Sequence, residues 1–170
     1  PWPTSWPSLG RGRPGDAPYR SRPSSRRSTA GGIAIPDVAD SDGLVVVDAS
    51  VVVEVLSRVG VTELEDRFAR SRLVAPALLP FEVAHALRGL RLGQILSAEQ
   101  AAQDLDTLDS LAIELWPWSV LASRAWELTH NLSSYDASSV ALAEMLDVPL
   151  LTSDARLARA PGIRCRVEVY

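Results

Sequence analysis

Four acidic residues stand where the chain passes from one kind of element to another: Asp48, Glu82, Asp136 and Asp154. Asp48 ends the apolar run Leu44-Val45-Val46-Val47 and precedes Ala49-Ser50. Glu82 lies in Pro80-Phe81-Glu82-Val83-Ala84, where a loop gives way to a helical pattern. Asp136 opens the helical stretch to Met145, and Asp154 closes the run Pro149-Leu150-Leu151-Thr152-Ser153. A strand that ends in a carboxylate puts that charge at the carboxyl edge of a sheet, where open α/β sheets bind ligands. Carboxylates gathered there repel one another unless a cation lies between them. Mg²⁺ and Mn²⁺, hard ions that take oxygen ligands, suit such a set. A phosphodiester resists attack because its own charge repels the nucleophile. A divalent ion offsets that charge, acidifies a water and stabilises the leaving oxygen, so no histidine base is needed. The pattern reads as a metal-dependent phosphodiester-cleaving site.

Each acid also has a local explanation. Asp136 fits a helix N-cap, Asp154 fits a cap for a short helix over 155–159, and Glu82 suits the dipole of a first helical turn. Capping does not account for a charge that ends an otherwise buried strand, so Asp48 is the hardest of the four to dismiss. Spacings of 34, 54 and 18 residues let each acid come from a separate βα unit.

The elements that must position these acids alternate. Strands are expected over Leu44–Asp48, Leu73–Pro76, Glu114–Trp118, Pro149–Thr152 and Arg164–Val169. Helices are expected over Ser50–Arg58, Thr62–Ser71, Leu78–Gly93, Ser97–Ala112, Ser119–Asn131 and Asp136–Leu146. Thr62-x-x-Glu65 and Ser97-x-x-Gln100 have the form of capping boxes, and Gly93 is placed to end the helix before it. Strands alternating with helices predict an α/β fold with a mainly parallel sheet of four or five strands, covered on both faces.

At 170 residues with 46% apolar content the chain has room for one packed domain. Its 17 basic residues are all Arg. The lack of lysine excludes phosphoacceptor receiver domains and aspartate-based phosphatases, both of which use a lysine beside the phosphate. Ser50 also stands where the phosphatase motif needs its second Asp, and no Gly-x-Gly-x-x-Gly follows the first strand. Cys165 is alone, so no intrachain disulfide can form and a cytoplasmic location is expected. Apolar runs fall far short of the roughly 20 residues that span a bilayer, and no signal-like segment is visible, so no membrane association is expected.

Residues 1–42 differ in kind, with 7 of the 12 prolines, 5 of the 10 glycines and six arginines among many serines. Such a segment buries too little surface to offset its ordering entropy and is expected to be a disordered tail or linker. The folded part is therefore taken as residues 43–170, which carry 11 Arg against 17 Asp and Glu, a net of −6. That balance disfavours a broad electrostatic grip on nucleic acid.

Residues 44–170 resemble a PIN-domain ribonuclease of the VapC toxin type, from bacterial type II toxin–antitoxin pairs. The likeness rests on Leu44-Val-Val-Val-Asp48-Ala-Ser50-Val51, on Pro80-Phe-Glu82-Val-Ala84 and on Tyr135-Asp136-Ala137. It is strengthened by Val140-Ala-Leu-Ala-Glu144 and by Pro149-Leu-Leu-Thr152-Ser153-Asp154-Ala-Arg156-Leu157. The resemblance implies a three-layer α/β/α sandwich whose acids bind Mg²⁺ or Mn²⁺ and cleave single-stranded RNA. By position, Asp48 and Asp136 would be the main metal ligands, with Glu82 and Asp154 completing the pocket directly or through water. Ser50 and Thr152 resemble hydroxyl residues that orient the carboxylates from behind; Ser153 fits less clearly. The resemblance further implies a homodimer and a cognate VapB-type antitoxin that fills the groove. A PIN nuclease of RNA processing and a non-catalytic PIN-like binding module remain as alternatives.

Arg88, Arg91, Arg156 and Arg159 follow Glu82 and Asp154 on adjacent helical stretches and are the candidates for RNA phosphate contacts. His85 shares a helix face with Glu82 but reads as an ordinary helix-face residue. His130 suits a helix C-terminus. Trp116, Trp118 and Trp126 are expected in the core or at a dimer surface.

Overall fold

In the chain's computed structural model, the described residues are 43–57 and 62–170. The expectation for residues 1–42, and the capping role of the Thr62 side chain, lie outside the described residues.

Five strands form one sheet: β1 (Leu44–Val47), β2 (Arg72–Pro76), β3 (Ile113–Trp116), β4 (Leu150–Thr152) and β5 (Val167–Val169). Their order is β3-β2-β1-β4-β5 and every pairing is parallel. The helices are α1 (Ala49–Ser57), α2 (Thr62–Arg70), α3 (Leu79–Leu92), α4 (Ala98–Ser110), α5 (Trp118–Leu128) and α6 (Ser134–Leu146), with a 3₁₀ turn at Leu157–Arg159.

Alternation along the strands sorts the core into two halves. Val45, Val47, Leu73, Ala75 and Leu151 pack against Val51, Val52, Leu56, Leu64, Phe68, Leu79, Val83, Leu87 and Leu108 of α1–α4. Val46, Val74 and Leu150 turn the other way, onto Leu121, Ala125 and Leu128 of α5 and Ala137, Val140 and Ala141 of α6. The result is the three-layer α/β/α sandwich expected, with β1 apolar throughout and β4 buried throughout because helices cover both faces. Burial of this kind contributes about 25 cal/mol per Å² of apolar surface removed from water.

Several boundaries differ from expectation, each for a local reason. Trp118 is not the end of a strand: β3 stops at Trp116, and Pro117 in extended conformation caps α5. Helix α6 begins two residues before Asp136, because Ser133 is its N-cap and accepts the Asp136 N–H at 3.1 Å. Asp147 ends that helix at φ 54°, a left-handed geometry that Asp tolerates better than most residues. The Ser97 cap is present, its Oγ accepting Gln100 N–H at 3.0 Å, and Gly93 closes α3. Strand β5 covers only the last part of its expected range, while the preceding Arg164 N–H is held by Glu144 Oε1 at 2.8 Å. Glu144 also takes the Arg124 guanidinium at 2.6 Å, tying α5, α6 and the approach to β5 together. Burial pushes the Glu144 carboxyl up, but the Arg124 and Arg164 bonds and charges outweigh it and hold it below its usual range. Among the described residues, no helix is long and apolar enough to cross a membrane.

Candidate active site: a carboxylate cavity at the sheet edge

Asp48 is the first residue past β1, and its N–H still bonds Leu151 O at 3.0 Å, so the carboxylate leaves from the rigid end of the sheet. Its Oδ2 accepts Ser50 Oγ at 2.6 Å, Thr152 Oγ1 at 3.0 Å and, more weakly, the Ser50 N–H at 3.4 Å. The two hydroxyls are themselves held. Ser50 Oγ accepts the Ser153 N–H at 2.9 Å, and Thr152 Oγ1 accepts the Asp154 N–H at 3.1 Å. Thr152 is fully buried. This network joins the β1–α1 corner to the end of β4 and confines Asp48 to one orientation. The Ser153 side chain has no such part, its buried Oγ standing without a hydrogen-bond partner.

Glu82 sits in the first turn of α3 and Asp136 in the first turn of α6. Asp136 Oδ2 accepts Ser133 Oγ at 2.8 Å while its N–H returns to that oxygen, a reciprocal capping pair. Asp48, Glu82 and Asp136 line one cavity of about 730 Å³, together with Ser50, Val53, Glu54, Leu78, Phe81, His85 and Tyr135. Burial, then the charges of Asp48 and Asp136, push the Glu82 carboxyl up to about 7. Three carboxylates sharing a partly dehydrated space suit a hard cation better than they suit one another.

Among the described residues, no three His, Cys, Asp or Glu side chains converge closely enough to ligate one ion together. That is compatible with Mg²⁺, which keeps several waters and is usually bound through one or two carboxylates. The donor set therefore fits a hydrated divalent ion at this cavity.

Asp154 is not brought into the lining of the cavity. Its Oδ1 accepts Arg156 N–H at 2.8 Å and Arg156 Nε at 2.9 Å, and its Oδ2 accepts Arg156 Nη2 at 2.6 Å. Those bonds hold its carboxyl below the usual range. Arg88 and Arg91 line a different groove, between α3 and α4, with Ala98, Ala101 and Leu105. Arg159 is exposed on the 3₁₀ turn. Trp116 is packed against the core, whereas Trp118 and Trp126 are exposed. His130 is exposed just past α5.

His85 faces the cavity, one turn along α3 from Glu82. Sequence reasoning had missed Glu54, which follows Ser50 by four residues on α1 and so shares its face. It had also missed that Phe81 and Tyr135, each directly before a cavity acid, line the same cavity; they are 72% and 52% exposed. The adjacency Phe81-Glu82 and Tyr135-Asp136 was the available signal.

Residues 45–163 match the family model described as PIN domain. The chain is 45% identical over 127 residues to Ribonuclease VapC1 of Mycobacterium tuberculosis, covering 73% of this chain and 96% of the relative. It is 38% identical over 126 residues to Ribonuclease VapC9 of the same organism, covering 74% and 98%. Among solved structures, a crystal structure of VapBC2 from Rickettsia felis bound to a promoter DNA fragment superposes with a TM-score of 0.56. The match has 14% identity and covers 75% of this chain and 98% of that one, a likeness of fold alone. With its parallel sheet and its carboxylates at the sheet's carboxyl edge, the chain belongs to the PIN domain family, among the VapC ribonucleases.

Proposed function

We propose that this chain is a Mg²⁺- or Mn²⁺-dependent endoribonuclease, the toxin of a type II toxin–antitoxin pair, acting on single-stranded RNA in the cytoplasm. The observation that carries the reading is the convergence of Asp48, Glu82 and Asp136 on one cavity. Its support from relatives is the name ribonuclease borne by proteins 45% and 38% identical to it.

When bound, the divalent ion supplies charge neutralisation of the phosphodiester and acidification of the attacking water. Asp48 and Asp136 would hold it, with Glu82 reaching it through bound water, and Ser50 and Thr152 keep the Asp48 carboxylate from rotating. Phe81 and Tyr135 offer exposed rings beside the acids. Unpaired bases stack on such rings, which favours a single strand over a duplex. With a net charge of −6 over residues 43–170, substrate affinity depends on the ion and on stacking more than on a basic surface.

The cognate partner is a VapB-type antitoxin, in keeping with the VapBC complex among the structural relatives. A cavity lined by acids and by Leu78, Phe81 and Tyr135 fits a segment combining apolar side chains with an arginine. A homodimer is part of the same reading.

The test is induced expression of wild type beside Asp48→Asn, with growth and RNA integrity followed together. Growth arrest and discrete RNA cuts, both absent in the variant, support a catalytic toxin. If purified wild type cleaves no RNA with Mn²⁺ and behaves as the variant does in cells, the catalytic reading fails.

A further inference from the structure

The turn after β4 carries an arrangement that the cavity itself does not use. Arg156 places four hydrogen bonds on the Asp154 carboxylate: N–H to Oδ1 at 2.8 Å, Nε to Oδ1 at 2.9 Å and to Oδ2 at 3.1 Å, and Nη2 to Oδ2 at 2.6 Å. Both carboxylate oxygens are thereby engaged, yet the Arg156 side chain remains 92% exposed. A guanidinium carries five N–H donors, so its remaining edge is available to a second anion.

The turn is anchored from beneath. Leu157, 3% exposed, is set in the core, and its N–H bonds Asp154 O at 3.0 Å. The Asp154 N–H bonds Thr152 Oγ1, the same atom that donates to Asp48 Oδ2. Arg156 is also near enough to Asp136 for their charges to interact. The guanidinium is thus tied to Asp48 by a continuous path through the Asp154 carboxylate, the Asp154 N–H and Thr152 Oγ1. An exposed ion pair contributes little to stability, so the value of this one lies in where it keeps the positive charge.

We propose that Asp154 is a positioning residue that holds Arg156, and that the outer edge of the Arg156 guanidinium takes a phosphate of the RNA strand next to the scissile one. Fork-shaped donors suit a phosphate's paired oxygens. The surroundings favour this use, since Arg88 and Arg91 line another groove and the fold as a whole is acidic. Asp154 then serves the substrate side of the site. The inference rests on the endoribonuclease reading for its substrate.

The experiment compares full-length wild type with Asp154→Ala, Arg156→Ala and the double variant. Three quantities are read: Mn²⁺ affinity by calorimetry, affinity for a labelled single-stranded RNA 12-mer by anisotropy in Ca²⁺, and KM and kcat for cleavage with Mn²⁺. Each single variant should weaken RNA affinity and raise KM about tenfold, the double should lose no more than either single, and Mn²⁺ affinity should not change. The salt slope of RNA binding should flatten by about 0.7, one phosphate contact on a single strand. Loss of Mn²⁺ affinity in Asp154→Ala but not in Arg156→Ala would make Asp154 a metal ligand and overturn the assignment. Multiplicative losses in the double variant, or RNA affinity unmoved by Arg156→Ala, overturn it as well. A wild type that binds the RNA but never cleaves it counts against the nuclease reading instead, and the anisotropy series still decides the role of Arg156.

Discussion

Thr152 donates its hydroxyl to Asp48 Oδ2 across 3.0 Å, from a position 104 residues later in the chain. The bond exists because β4 lies beside β1 in the sheet, pairing Val46 with Leu150 and Val47 with Leu151. Neither residue has a local reason to meet the other.

Thr152→Val keeps the shape of this fully buried side chain and removes the donor. Losing a partner that orients a site carboxylate commonly costs ten- to a hundredfold, so kcat should fall by about that factor. Thr152→Ser should keep most activity. Equal activity in all three proteins at matched melting temperature would remove Thr152 from the site.

Metal binding should be readable without any substrate. At Mn²⁺ a hundredfold above its Kd, wild type should gain about 2.7 kcal/mol of stability by mass action. Chelation should reverse the gain, and Asp48→Asn and Asp136→Asn should abolish most of it. Thermal unfolding with and without chelator measures this, and a Mn²⁺ shift persisting in both variants would place the ion elsewhere.

Glu82 makes the metal-free protein sensitive to pH. Its carboxyl is raised from 4.5 to about 7 by burial and by Asp48 and Asp136. The folded state therefore holds an extra proton between those values, and stability declines as pH rises through that window. Glu82→Gln removes the penalty. In chelator it should be more stable than wild type at pH 8, on the order of 1 kcal/mol after allowance for the group's partial solvation. At pH 4 the two should coincide. Urea titrations at both pH values test the sign, and a variant less stable at pH 8 would contradict it.

Phe81→Ala and Tyr135→Ala should raise KM for single-stranded RNA by roughly tenfold each, the lower end of base–aromatic stacking. Their exposure, 72% and 52%, means that little folding stability should be lost. Duplex RNA should be a poor substrate for wild type, and cleavage of duplex and single strand at equal rates would argue against stacking.

Much of this molecule was legible from local pattern. Strand-like runs such as Leu44–Val47 and Pro149–Thr152, separated by helical stretches, announced a parallel sheet covered on both faces, and that is the fold. Asp48 was conspicuous as a charge ending a buried strand, and it also stands directly before α1, where its Oδ2 takes the Ser50 N–H at 3.4 Å as a helix cap does. The Ser97 cap and the Gly93 stop were readable because their causes lie within four residues.

Only the tertiary structure decided which side chains meet. The order β3-β2-β1-β4-β5 sets Asp48 beside Thr152 and brings the first turns of α3 and α6 to one cavity. It also turns Arg88 and Arg91 toward α4 and leaves the Asp154 carboxylate to Arg156. Periodicity reports whether a residue faces its own layer's core or solvent, since that depends on a few neighbours along the chain. Convergence depends on strand order and on the angles at which separate helices start, and those are settled by the packing of both core halves against the sheet.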